Sequence, residues 1–152
     1  MTRCRHLFII LALTLAFLTP VAAEDLLAAR STQSFPEAML TLQESIREHG
    51  YTVSRVQRVD IGLTNMGYQT DKYRVVFFGK IDEVRELSNR HPEMIPYLPM
   101  NISVIAEGDQ TVLITSNPAI YKTLFSKVKN KFLFDHWEND IRSIFNDIRE
   151  AE

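Results

Sequence analysis

The chain contains little cysteine, glycine and proline, and it has no excess of basic residues. Its 152 residues include one cysteine, Cys4, five glycines and six prolines. The scarcity of glycine and proline is typical of an ordered globular domain and argues against a disordered chain. A single cysteine excludes an intramolecular disulfide framework. A net charge of −2 argues against a nucleic-acid binder, which needs basic side chains to contact phosphates.

The longest apolar run is also too short for a typical membrane-spanning helix. Residues 7–18 are apolar except for Thr14, whereas a spanning helix needs about 20 such residues. Arg3 and Arg5 precede the run, Pro20 follows it, and small residues lead up to Glu24. This order predicts a secretory signal peptide over residues 1–23, cut after Ala23. The alternative is an uncleaved anchor; with cleavage, we expect a periplasmic or secreted protein without a stable membrane span.

Cleavage would change the chemistry that is available to the chain. Residues 24–152 number 129 and contain no cysteine, so thiol catalysis and thiolate metal sites are excluded. The signal takes away two of 17 basic and none of 19 acidic side chains, which leaves 15 against 19 and a charge of −4. About 130 residues suffice for a single core without disulfides. We therefore expect one acidic, globular domain that does not bind nucleic acid.

Local patterns predict alternating strands and helices. Ser34 and Glu37 have capping-box spacing and begin a helix that Gly50 ends. Residues 51–61 favour a strand with a bulge, and residues 62–71 favour a loop. Residues 73–79 give the strongest strand, apolar on both faces and therefore expected to be covered on both sides. We also predict a first strand over residues 25–32 and a helix over residues 81–90, with Ile81, Val84 and Leu87 facing inward. A connector stiffened by prolines follows over residues 92–99, and a hairpin over residues 102–115.

These elements predict an α+β fold with a single antiparallel or mixed sheet and helices packed on it. Residues 24–117 would form the domain, and residues 118–152 a helical C-terminal extension packed on it. In the extension, Ile120, Leu124 and Val128 have helical spacing. A second stripe has the same spacing and is interpreted either as core packing or as a dimer or partner interface. It consists of Phe134, Trp137, Ile141, Ile144 and Ile148.

Five segments, in this order, resemble a bacterial family of domains of unknown function, numbered 302. They cover roughly residues 28–116 and are residues 34–38, 49–53, 59–63 with Gly67-Tyr68, 73–79, and 98–104. The resemblance implies a compact α/β domain that is often dimeric and has no established chemistry. Many members carry asparagine-proline at the end of the central strand. They also carry a cysteine directly after the proline with which the hairpin segment begins. Gly79-Lys80 and Met100 stand at these positions here, so an activity that depends on those residues is not expected.

The connector over residues 92–99 is the main candidate site. It contains large apolar side chains, and we interpret it either as a lid over the sheet edge or as the apolar wall of a ligand pocket. Met94 would line that pocket, and Tyr68 and Tyr97 would provide its polar groups. A second feature is the basic cluster of Lys122, Lys127, Lys129 and Lys131, interpreted as a solvated face or as a contact for anionic headgroups or an acidic partner.

Motifs for metals, cofactors and nucleophilic catalysis are absent from the sequence. No histidines have the spacing of a helical metal site, and no phosphate-binding glycine loop or nucleophile elbow is found. His49 and His91 are expected at helix C-termini, where the helix dipole favours them. We therefore expect no metal and no cofactor.

The sequence predicts a non-catalytic exported binding or accessory domain, which we expect to form a homodimer. Its partner would be a small amphipathic ligand or another envelope protein. The alternatives are an envelope enzyme with a dispersed site, for which Asp60, Tyr68, His91 and Tyr97 are candidates, and a purely structural envelope protein.

Overall fold

Five antiparallel strands form one open sheet in the computed structural model, which describes residues 25–151. The strands are β1 (Leu26–Ser31), β2 (Thr52–Arg58), β3 (Tyr73–Gly79), β4 (Met100–Glu107) and β5 (Gln110–Ser116). Their spatial order is β1-β5-β4-β3-β2. The predicted α+β class is confirmed, and the sheet is antiparallel throughout. The predicted signal peptide lies outside the described residues.

Helices follow every strand except β4, and α1 and α5 cover one face of the sheet. They are α1 (Phe35–Glu48), α2 (Val59–Asn65), α3 (Ile81–Arg90), α4 (Tyr121–Leu124) and α5 (Phe132–Glu150), with 3₁₀ turns at Pro92–Tyr97 and Pro118–Ile120. None of these helices has both the length and the apolar character needed to cross a bilayer.

The predicted start and end of α1 are confirmed. The Glu37 carboxylate accepts the Ser34 backbone N–H at 3.1 Å and the Ser34 hydroxyl at 2.6 Å. These hydrogen bonds lower the pKa of Glu37 and hold the first turn of the helix. Gly50 has a φ of 79°, a conformation that glycine adopts without strain, and it follows the C-cap residue His49.

The bulge in β2 is also confirmed, but the segment after it differs from the prediction. The β2–β3 register shifts between Val53 and Arg55. Beyond Arg58 the chain forms α2, where the end of the strand (residues 59–61) and the start of a loop (from residue 62) were expected. Asp60 in its first turn pairs with Arg74 on β3, and this largely buried ion pair ties the short helix to the sheet. Local propensity did not indicate the helix because this partner is 14 residues away.

The core lies between the sheet and helices α1 and α5. Alternate residues of β3 and β4, among them Val76, Phe78 and Ile102, are fully buried on the inner face. On the opposite face of β3, Val75 and Phe77 are only partly buried, so the strand is not covered equally on both sides. The inner face meets Leu42 and Ile46 of α1 and the predicted stripe of α5, which is buried as core packing.

The single long helix suggested by Ile120, Leu124 and Val128 does not form. Only one turn, α4, is helical there, and Leu124 is about half exposed while Val128 is buried. The turn is held by ring contacts: Tyr121 lies 5.7 Å from Phe125 and 5.8 Å from Phe134, centroid to centroid. These contacts fix the chain between α4 and α5 to the core.

Candidate functional site

An apolar groove of about 510 Å³ lies where β3 ends and α3 begins. We call it the β3-end groove. Its lining residues come from β2, the β3–α3 junction and the turn before β4: Thr52, Ser54, Gly79, Ile81, Val84, Arg85 and Pro99. Its volume falls in the range of small-ligand pockets, about 300–1,000 Å³.

Gly79 forms the floor of this groove because it has no side chain. A Cβ atom placed on Gly79 would lie 2.9 Å from Cγ2 of Val84 and 3.5 Å from Cβ of Pro99. The first distance is shorter than a van der Waals contact, so Val84 packs directly on the strand backbone. The absence of a side chain therefore allows α3 to approach β3 and sets the width of the groove.

The wall and rim of the groove have different chemistry. Ile81, the first residue of α3, is 60% exposed, which contradicts its predicted inward position. Its apolar side chain is available to a ligand because the core begins deeper in the helix, at Leu87. Arg85 stands at the rim and pairs with Asp82 at 3.0 Å, both exposed. Such an exposed pair contributes little to stability, so the guanidinium can exchange Asp82 for another anion.

A second cleft, also about 510 Å³, lies between α3 and the chain leading into α5. Most of its charges already have partners. Glu86 pairs with Arg90 at 3.0 Å, and Glu83 accepts the Trp137 indole N–H at 3.2 Å. The acidic groups on the α3 side of this cleft are thus held in local contacts, which favours a structural role for them. Its lining is Glu83, Glu86, Leu87, Arg90, His91, Lys127, Val128, Lys129, Asn130 and Leu133.

Tyr51, Asp140 and His136 form a polar cluster beside this cleft. The Tyr51 hydroxyl donates to Asp140 at 2.6 Å, and the His136 ring lies 3.3 Å from the same carboxylate oxygen. Burial, and then the hydrogen bond to Asp140, raise the pKa of Tyr51 well above its ordinary value of 10.0. The phenol therefore stays protonated and acts as a hydrogen-bond donor, so Tyr51 is not prepared for nucleophilic attack.

Ser45, His49 and Asp147 also lie together, between α1 and α5. The Ser45 hydroxyl donates to Asp147 at 2.5 Å, and His49 Nε2 lies 3.1 Å from the same oxygen. In a catalytic triad the histidine stands between the serine and the carboxylate. Here the carboxylate stands between the other two, so the arrangement joins two helices and does not activate the serine. Within residues 25–151, no three potential metal ligands cluster.

The structure does not bring the three predicted pocket residues together. Tyr68 is exposed beyond α2, near the start of β3, whereas Tyr97 lies at the opposite end of the sheet, just before β4. Met94 is fully buried in the core. Tyr97 stacks edge-to-face on Tyr121 and Phe125, at 5.6 and 5.3 Å between ring centroids. The connector therefore packs as a lid on the core, and Tyr68 and Tyr97 do not share a pocket.

The residues named for a dispersed enzyme site are also separated. Asp60 is engaged by Arg74 beside α2, whereas His91 lies at the C-terminus of α3, 3.5 Å from Glu93. The pKa of Glu93 is lowered mainly by a backbone hydrogen bond and to a lesser degree by His91. Asp60 and His91 therefore make separate local contacts.

Comparison with known proteins identifies the family and the fold. The family described as "Domain of unknown function DUF302" matches residues 27–148, a range that extends past residue 116 and includes most of α5. The crystal structure of an uncharacterized conserved protein DUF302 from Bacillus stearothermophilus is similar, with a TM-score of 0.74 and 16% identity. The alignment covers 84% of this chain and all of that one. The comparison with curated proteins gives no match.

Proposed function

Since the chain belongs to the DUF302 family of domains of unknown function, we propose that it is an exported, non-catalytic domain that binds a small amphipathic anion. The observation that carries the proposal is the β3-end groove. An apolar part of the ligand would lie against Ile81, Val84 and Pro99, and its anionic group would replace Asp82 at Arg85. Burial of apolar ligand surface would provide affinity, and the charge-assisted contact would provide orientation.

The enzyme alternative is less well supported by the arrangement of polar groups. A general acid or base needs a titratable group that faces a space for substrate. In the β3-end groove, Arg85 is the one ionisable side chain of the lining, and a guanidinium does not exchange protons near neutral pH. The groove is thus suited to holding a ligand and poorly suited to proton transfer.

Export and dimer formation are further parts of the proposal. The basic, apolar and small-residue order of residues 1–23 supports cleavage after Ala23 and a periplasmic or secreted location. The family resemblance supports a homodimer. The full chain of 152 residues has a mass of 17.6 kDa, so the chain that begins at Glu24 has a mass of about 15 kDa. Light scattering of the purified protein without its signal peptide would give about 30 kDa for a dimer and about 15 kDa for a monomer.

A fluorescent amphipathic anion tests the binding site. We expect 1-anilinonaphthalene-8-sulfonate to bind the folded protein at one site with increased emission. Ile81→Asp should abolish this site, because it places a like charge on the apolar wall, while an acid at a helix N-terminus does not harm folding. Arg85→Gln should weaken binding about tenfold, the equivalent of a lost charged hydrogen bond.

Met66→Asp is the matched control for this experiment. Met66 is exposed at the end of α2, and Gly79 lies at the other end of the sheet. Replacement of Met66 therefore also exchanges an exposed apolar side chain for an acid, but at a distance from the groove. Equal binding to the Ile81→Asp and Met66→Asp proteins would contradict the assignment. Circular dichroism of each variant establishes that the fold is retained.

A further inference from the structure

The segment that joins α4 to α5 combines strong positive charge with exposed apolar side chains. Residues 121–133 contain four lysines and no acidic residue. Lys122 pairs with Asp135 of α5. Within residues 25–151, neither Lys129 nor Lys131 forms an ion pair, and both are exposed. The segment therefore presents uncompensated positive charge to solvent.

A large aromatic ring protrudes beside these lysines. Phe132, the first residue of α5, is 84% exposed, and Leu124 on the adjoining turn is 52% exposed. Two residues further along α5, Phe134 is fully buried, so Phe132 lies off the core-facing side of the helix. Burial of this ring against a partner would be favourable in proportion to the apolar area that is removed from water.

The segment is held in place by residues that lie between the lysines. Val128 is buried between Lys127 and Lys129, and Phe125 packs against Tyr121 and Tyr97. The backbone N–H of Val128 donates to the Phe125 carbonyl at 3.1 Å. The exposed lysines and Phe132 are therefore displayed from a fixed turn, so binding through them requires little ordering of the chain.

We propose that this surface, formed by Lys127, Lys129, Lys131, Leu124 and Phe132, docks the protein on an anionic phospholipid bilayer. Lysines would contact lipid phosphates, and the Phe132 ring would enter the boundary between headgroups and acyl chains. Charge complementarity favours this partner, because two exposed lysines without an ion pair in the described residues, Lys129 and Lys131, lie close in sequence to the exposed Phe132 ring. A protein interface is more often built on several aromatic side chains seated in pockets of the partner.

Acidic groups close to this surface limit its strength but do not cancel it. Lys127 is near enough to Glu93 to contribute to the lowered pKa of that carboxyl group. Asp135 is engaged by Lys122. We therefore assign the largest electrostatic contribution to Lys129 and Lys131, and we base the test on these two residues and on Phe132.

Vesicle sedimentation tests the proposal. The chain that starts at Glu24, which contains the whole described core, avoids any contribution from the apolar residues 7–18. We expect binding to vesicles of phosphatidylglycerol and phosphatidylcholine, weakened at high salt, and no binding to phosphatidylcholine alone. Lys129→Gln with Lys131→Gln should reduce the partition coefficient about 25-fold, at roughly fivefold for each lysine near the surface. Phe132→Ser should reduce it about tenfold.

Two control variants match these changes. Arg47→Gln with Arg55→Gln removes the same charge from exposed positions elsewhere, and Met66→Ser removes an exposed apolar side chain. Both should bind as the unmodified protein does. The proposal would be overturned by equal binding to both kinds of vesicle, by an equal loss of binding in the control variants, or by no binding to either vesicle. The last of these results would favour an acidic protein partner.

Discussion

Replacement of Gly79 by alanine tests the packing that forms the β3-end groove. A methyl group at Gly79 would lie 2.9 Å from Cγ2 of Val84. Valine is stiff at χ1, so it cannot move aside by a simple rotation, and α3 must shift away from β3. Overpacking of this kind costs about 1–3 kcal/mol, whereas glycine-to-alanine changes at permissive sites gain about 0.4–1 kcal/mol. We expect a net loss of about 1–2 kcal/mol.

A double-mutant cycle separates this clash from other effects. Val84→Ala alone should cost about 1 kcal/mol through lost packing. With Gly79→Ala in the same chain, the new methyl group occupies the space that Val84 vacates. The double variant should therefore be about 1–2 kcal/mol more stable than the sum of the single changes predicts. Urea unfolding with an unchanged m-value gives each free energy.

Gly62→Ala is the control for the intrinsic effect of replacing glycine. A Cβ at Gly62, in the exposed helix α2, has no atom within 4 Å, so we expect stabilisation of up to about 1 kcal/mol. A Gly79→Ala protein that is as stable as the unmodified chain, or a cycle with no coupling, would refute the close approach of α3 to β3.

Two further predictions concern the polar contacts between the helices and the strands. Tyr51→Phe should destabilise the fold by about 1–2 kcal/mol, because the partly buried Asp140 carboxylate loses a hydrogen bond. The pKa of Tyr51 is raised on folding, so its contribution to the stability of the fold is complete below pH 10 and is lost as the pH rises above that value. Absorbance at 295 nm during alkaline unfolding would detect this loss. Asp147→Ala should lower the urea midpoint by leaving the buried Ser45 hydroxyl without its acceptor, whereas Asp147→Asn should restore part of the loss.

Much of the fold could be predicted because the relevant signals are local. The capping box at Ser34, the bulge in β2 and the run of strand-forming residues in β3 each depend on a few neighbouring residues. The prediction was wrong where a distant contact decides the structure. Helix α2 is tied to the sheet by the pair of Asp60 with Arg74, which neither propensity nor periodicity could indicate.

The candidate site could not be assembled from the sequence for the same reason. Thr52, Ile81 and Pro99 come from separate segments, and only strand register and the approach of α3 bring them together. Tyr68 and Tyr97 were grouped by chemistry, but the length of β3 separates them. One signal was available in the sequence. The chain departs from the family pattern at Gly79-Lys80 and at Met100, which follows Pro99, and these positions lie in the groove or next to it.

Mass spectrometry under non-denaturing conditions, on protein recovered from a bacterial envelope, tests the central claim most directly. The account predicts a chain that begins at Glu24 and carries a bound amphipathic anion. It also predicts that Ile81→Asp protein lacks this ligand, whereas Met66→Asp protein retains it. Two results would contradict the account. One is a recovered chain that still contains residues 1–23 and carries no ligand, and the other is the same ligand on both variants.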